Sequence, residues 1–217
     1  MKVLNLYSGI GGNRKLWGGV EVTAVENNPE VVAIYKEYFP NDTVIVADAH
    51  EYLLNHYKEF DFIWSSPPCI THSRLRHAQK NKAPAMYPDA NLWQEIIFLK
   101  HHSICPFVVE NVKPYYDVII PPTIEIHRHL FWSNFRIASL RVLKDCKNVA
   151  KVEGRKQRFG FDISTRRIKY FENHDIKGQI LRNLVNPEIG LWILDQVRGI
   201  NRQRKESQQN LFASFKG

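Results

Sequence analysis

Up to Val112 the chain alternates short apolar runs with amphipathic stretches, and that alternation limits its possible folds more than any other feature. "KVLNLY" (2–7), "VEVTAVE" (20–26), "TVIVAD" (43–48), "FDFIWS" (60–65) and "PFVVENV" (106–112) read as strands. "NPEVVAIYKEYF" (28–39) places Val31, Val32, Tyr35 and Phe39 at helical spacing, with Pro29 near the first turn. "AHEYLLNHY" (49–57) and "NLWQEIIFLKHH" (91–102) also read as helices. Strands alternating with helices predict an α/β fold: a Rossmann-like, mostly parallel sheet with helices on both faces. Such sheets bind ligands beyond the carboxyl ends of their strands, near the switch in strand order.

Past residue 113 the pattern changes. "HLFWSNFRIASL" (129–140) predicts a hairpin or strand pair, and "NPEIGLWILDQVRGI" (186–200) a helix with Ile189, Trp192, Ile193 and Val197 on its apolar face. Residues 147–175 are basic and aromatic-rich without periodicity. Charge divides the same way. Residues 1–135 carry 12 Lys+Arg and 14 Asp+Glu, a net of −2; residues 136–217 carry 18 and 8, a net of +10. A near-neutral part joined to a strongly basic one suggests catalysis in the first and polyanion binding in the second.

No apolar run approaches the roughly 20 residues of a membrane span, and "MKVLNLYSG" lacks the h-region of a signal peptide. Three widely spaced cysteines (Cys69, Cys105, Cys146) without a CxxC pair argue against a disulfide framework or structural zinc site. A cytoplasmic protein, away from membranes and without a metal, is expected. His127 and His129 read as surface or packing residues.

Each unusual segment follows the carboxyl end of an expected strand. "LYSGIGG" (6–12), after a strand and before an expected helix, lets a ligand approach the backbone closely. Glu26 stands where a carboxylate accepts from ribose hydroxyls, and Asp48 where one accepts from an adenine amino group. Together they suggest a nucleoside-containing cofactor without a phosphate cradle, since no Walker lysine motif is present. Pro67-Pro68 stiffen the loop that carries Cys69. Taken alone, Cys69 is either a buried structural thiol, as most lone cysteines are, or a nucleophile whose pKa Arg74, Arg76 or a helix N-terminus would lower. Glu110, after a strongly apolar strand, is costly to bury without a task or partners.

In this order the segments resemble the C5-cytosine DNA methyltransferases. "LYSGIGG" resembles the family's S-adenosylmethionine loop, with Tyr7 where Phe is common. "VENNPEV" resembles its ribose-binding segment, "VADA" its adenine-facing segment, "SSPPC" its Pro-Cys nucleophile motif and "VVENV" its Glu-Asn-Val motif. "RNLVNP" (182–187) resembles the segment that completes the cofactor pocket. The family's Gln-x-Arg-x-Arg segment finds its best match in "EIHRHLFW" (125–132), which offers Arg128 alone, flanked by His127 and His129. Ile70 stands where Gln is common. The resemblance covers most of 1–140 and 180–200.

That resemblance implies a catalytic core at 1–140, a small basic DNA-recognition region at 141–180, a segment returning to the core at 181–200 and a flexible tail at 201–217. It implies that Cys69 attacks cytosine C6, that Glu110 hydrogen-bonds or protonates N3, and that Pro68, Asn111 and Arg128 assist. S-adenosylmethionine would lie against Tyr7, Ser8, Gly9, Ile10, Gly11, Gly12, Glu26, Asn27, Asp48, Ala49, Pro67, Asn183 and Val185, leaving as S-adenosylhomocysteine. The target base would be flipped from DNA. Arg74, Arg76, Lys151, Arg155, Lys156, Arg158, Arg166, Arg167 and Lys169 would hold DNA, and residues 70–88, a basic and irregular stretch, would close over it. A monomer is expected. "QQNLF" (208–212) resembles a short bacterial sliding-clamp-binding motif. An RNA-directed (tRNA) C5 methyltransferase and a catalytically inactive DNA-binding subunit are the alternatives.

Overall fold

The computed structural model describes residues 1–78, 84–139, 159–163 and 176–199. Seven strands form one sheet in the order β3-β2-β1-β4-β5-β7-β6. Its parallel part comprises β1 (Lys2–Leu6), β2 (Glu21–Glu26), β3 (Thr43–Val46), β4 (Phe62–Ser65) and β5 (Phe107–Val112). The chain builds outward from β1 through β2 to β3, then crosses back to lay β4 on the other side of β1, so the strand order switches between β1 and β4. β6 (Ile124–Ile126) and β7 (His129–Ser133) complete the sheet, and β7 runs antiparallel to β5.

Strand side chains alternate between two cores, as the pleat requires. Val3, Val22, Phe62, Trp64, Val108 and Phe131 face Trp17, Tyr35 of α1 (Pro29–Tyr38) and the apolar side of a late helix, Pro187–Val197. Leu4, Leu6, Ile63, Phe107, Val109 and Trp132 face α2 (Ala49–His56) and a helix over Asn91–His102. In chain order the helices are α1, α2, α3 (Arg74–Ala78), α4 (Asn91–His102), α5 (Ile176–Arg182) and α6 (Pro187–Val197). Asn28 caps α1 by accepting from the Glu30 and Val31 amides, and Asn186 caps α6 by accepting from that of Glu188.

Four expectations change. No helix follows "LYSGIGG": residues 13–16 form turns, with hydrogen bonds from Gly11 to Ser8, Lys15 to Gly12 and Trp17 to Arg14. α6 packs so tightly there that a Cβ on Gly190 would collide with the Asn13 backbone, leaving no room for a helical turn. The hairpin lies at β6–β7 rather than within 129–140, because His127 takes a left-handed φ of 56° and turns the chain before His129. Residues 70–88 are not irregular throughout. α3 forms within them, and the His72 and Ser73 amides turn back to the Cys69 carbonyl, both at 3.0 Å. Asp48 lies two residues beyond β3 and caps α2 through the Glu51 amide at 3.0 Å. Among the described residues, no helix is long and apolar enough to cross a membrane.

Candidate active site

A cavity of about 400 Å³ opens at the carboxyl edge, beside the switch between β1 and β4. Its size is typical of small-molecule sites. One wall is the loop after β1. Tyr7, Gly9 and Gly11 all have positive φ, 53°, 53° and 85°. For Tyr7 this backbone is strained, and the ring is tied down where its hydroxyl donates to Glu95 at 2.6 Å. Ser8 Oγ is buried without a protein partner and lines the cavity, so a polar ligand would satisfy it. Gly12 meets the returning chain. A Cβ there would lie 2.7 Å from the Val185 carbonyl oxygen and 2.9 Å from Leu184.

Glu26, at the end of β2, accepts from the Gly9 and Asn28 amides, both at 3.1 Å. Burial raises its pKa, and those backbone donors partly oppose the rise. A carboxylate has about four acceptor sites, so capacity remains for ligand hydroxyls. A buried Ser8 hydroxyl, a glycine wall and an acidic strand end fit the S-adenosylmethionine that the sequence implies.

Opposite stands the loop after β4, which carries Cys69. Pro67 is buried, Pro68 exposed and Cys69 half-buried. The Asn111 side chain donates to the Pro67 carbonyl at 3.0 Å and accepts from the Val112 amide at 2.9 Å, so the end of β5 holds the loop after β4. Burial pushes the Cys69 thiol pKa up, and the Glu110 carboxylate pushes it further; the Arg128 guanidinium opposes both. The expected activating cation is therefore not Arg74, whose Nε donates to the Pro114 carbonyl at 2.9 Å. Burial and Glu110 thus favour the thiol form of Cys69.

Glu110 is 5% exposed and hydrogen-bonded to His129 Nδ1. Arg128 Nε donates to His129 Nε2 at 3.2 Å, and its Nη2 to the Arg182 carbonyl at 3.3 Å. β7 explains this meeting. Running antiparallel, it brings its amino end to the carboxyl edge of β5, pairing His129 with Val112.

Below the cavity lies a carboxylate that the sequence reading missed. Glu95, on α4, is fully buried and accepts from Tyr7 at 2.6 Å, Ser65 at 2.5 Å and His50 at 3.0 Å. The hydrogen bond to Glu95 raises the His50 pKa, against its partial burial. A single acidic residue among Leu92, Trp93, Ile96 and Leu99 is the signal that would have found it.

The cavity brings together Tyr7, Ser8, Gly9, Ile10, Gly12, Glu26, Asn27, Ala49, Pro67, Pro68, Cys69, Glu110, Asn111, Arg128, Asn183 and Val185 from the sequence reading. Gly11 and Asp48 are not in its lining. Gly11 backs onto Tyr35 and Phe39, and Asp48 is turned to its helix cap. His129, read as surface or packing, and Arg182 line it as well. The Arg76 side chain, Lys151, Arg155, Lys156, Arg158, Arg166, Arg167, Lys169 and the tail motif 208–212 lie outside the described residues.

The model of a family described as C-5 cytosine-specific DNA methylase matches residues 1–117. No curated protein matches the chain. Among solved structures it is similar to a DNMT2 mutant of Spodoptera frugiperda, at 26% identity and TM-score 0.36 over 52% of this chain and 35% of that one. A methyltransferase of Entamoeba histolytica matches at 17% identity and TM-score 0.35, over 52% and 38%. A DNA modification methyltransferase encoded within an Escherichia coli prophage, described as putative in its own name, matches at 20% identity and TM-score 0.35, over 54% and 33%. The chain thus spans little more than a third of the length of each.

Proposed function

Because the chain belongs to the C-5 cytosine-specific DNA methylase family, we propose that it methylates C5 of cytosine in DNA through a covalent bond between Cys69 and C6. The observation that carries this reading is that Cys69 follows β4, Glu110 lies near the carboxyl end of the adjacent parallel strand β5, and both line one cavity with Glu26 and the loop after β1. S-adenosylmethionine, when bound against Ser8, Glu26 and Asn183, supplies the methyl group.

Cytosine C5 is a weak nucleophile. Attack of Cys69 Sγ on C6 opens the 5,6 double bond and places the electron pair on C5. Glu110 takes up the proton that the thiol loses and delivers it to N3, neutralising the charge that develops on the ring. After C5 is alkylated its proton passes to solvent. The Cys69–C6 bond then breaks, the double bond re-forms, and N3 returns its proton through Glu110 to the thiolate. Pro67-Pro68, anchored by Asn111, hold Sγ in place. A base inside a duplex cannot reach this recess, so the cytosine must be extrahelical. Basic residues of 141–180 would neutralise phosphates and position the strand.

DNA containing 5-fluorocytosine, mixed with the protein and S-adenosylmethionine, tests this reading. A stable protein–DNA adduct is expected from the wild type and none from Cys69→Ala. An adduct formed by that variant would overturn the nucleophile assignment. Labelled methyl transfer to DNA against tRNA decides the polymer, and transfer to tRNA alone would replace DNA as substrate.

A further inference from the structure

We infer that His129 is a positioning residue for Glu110, and that Arg128 holds it in the tautomer with the proton on Nδ1. This rests on the catalytic reading above for its consequence, though not for its geometry.

The assignment follows from donors and acceptors. A guanidinium has only donors and is not deprotonated in proteins. Arg128 Nε approaches His129 Nε2 at 3.2 Å, so Nε2 must be the acceptor and bears no hydrogen. The imidazole is then neutral, and its proton sits on Nδ1, the nitrogen that faces Glu110 Oε1. Glu110 Oε1 is consequently the acceptor in that bond. A protonated His129 would turn an N–H toward the Arg128 guanidinium, which electrostatics disfavours.

The backbone fixes the arrangement. Glu110 pairs across the sheet with Phe131, and His129 lies two residues before Phe131 on the same face, the diagonal position from which a long side chain reaches its neighbour. The hairpin turn at His127 sets Arg128 beside it. Arg128 is anchored in turn by the Arg182 carbonyl at 3.3 Å. A hydrogen-bonded path therefore runs from the end of α5, through Arg128 and His129, to the carboxyl group that serves the base.

With Oε1 engaged by His129, an arriving proton settles on Oε2, and the carboxyl cannot rotate to present the wrong oxygen to N3. An Asn side chain can place its Nδ2 where imidazole carries Nδ1, so His129→Asn keeps the donor. His129→Leu removes it at similar size.

Imidazole nitrogen–proton correlation NMR on the folded protein reads the tautomer without any turnover. The wild type should show His129 in the Nδ1–H form, and Arg128→Met should lose that preference. In methyl transfer, His129→Leu should lower kcat about tenfold or more, within the roughly 10²–10⁴-fold range of a positioned acid–base group. Its Kd for S-adenosylmethionine and its Tm should stay near wild type, and His129→Asn should recover most of kcat. An Nε2–H tautomer or an imidazolium in the wild type would overturn the inference, as would wild-type turnover by His129→Leu. A wild type with the Nδ1–H tautomer but no methyl transfer would leave this hydrogen-bond chain standing and sink the catalytic reading instead.

Discussion

Asn111 Nδ2 donates to the Pro67 carbonyl at 3.0 Å, so the strand that carries Glu110 also holds the loop that carries Cys69. The segments that carry Glu110 and Cys69 are thereby tied to one another through a buried amide. Asn111→Ala should strand the Pro67 carbonyl at a cost of about 1–3 kcal/mol. Its effect on chemistry should exceed its effect on cofactor affinity. The check is the rate of 5-fluorocytosine adduct formation beside calorimetric binding of S-adenosylmethionine; an equal loss in both would refute the separation.

Cys69 reactivity should rise with pH. Burial and then Glu110 push its thiol pKa up, so the thiolate fraction at neutral pH is small and grows into the alkaline range. Glu110→Gln removes the second cause and should shift the alkylation profile of Cys69 to lower pH. Iodoacetamide rates across pH, corrected with a Cys69→Ser variant for the buried Cys105, measure both. An unmoved profile in Glu110→Gln would show that the two groups do not interact.

His50 gives the fold a pH dependence of opposite sign. Its folded pKa is raised, chiefly by the hydrogen bond to Glu95. The pair's contribution to stability is thus fully present below the unfolded imidazole value near 6.5. It is lost as pH climbs through the raised folded value. Melting curves of wild type and His50→Ala should diverge most at acid pH and converge above that window. Parallel curves would rule out the pair as a stabilising contact.

Gly12 and Gly190 should respond differently to the same added methyl group. Gly12→Ala pushes against the Val185 carbonyl and Leu184, the cavity wall, and should weaken S-adenosylmethionine binding with modest loss of Tm. Gly190→Ala drives a helix into the Asn13 backbone and should cost stability, typically about 1–3 kcal/mol for overpacking. Thermal melts and cofactor titrations on both variants decide it.

The parallel sheet was legible because periodicity reports burial. Leu4 and Leu6 alternate with Val3 and Asn5 on β1, and Val31, Ile34 and Tyr35 repeat along α1. The polar residues at strand ends were legible for the same reason, being exceptions to apolar runs. What escaped depended on contacts distant in sequence. Nothing near residue 13 announces that α6, more than 170 positions later, occupies the space of the expected helix. His129 looked like one more surface histidine, since only the antiparallel entry of β7 brings it to Glu110. Glu95 was overlooked because helical periodicity marks its position as buried and says nothing of the three donors waiting there.

Gly12 packs directly against Leu184 and Val185 in the cavity wall, and these residues lie far apart in the order of synthesis. A nascent chain that has reached residue 139 already contains every described strand of the sheet, yet one wall of the cavity is still unmade. On the proposed reading, enclosure of the methyl donor would wait for that segment. A premature stop before residue 180 would yield a product with every described strand of the sheet but without Leu184 and Val185 in the cavity wall.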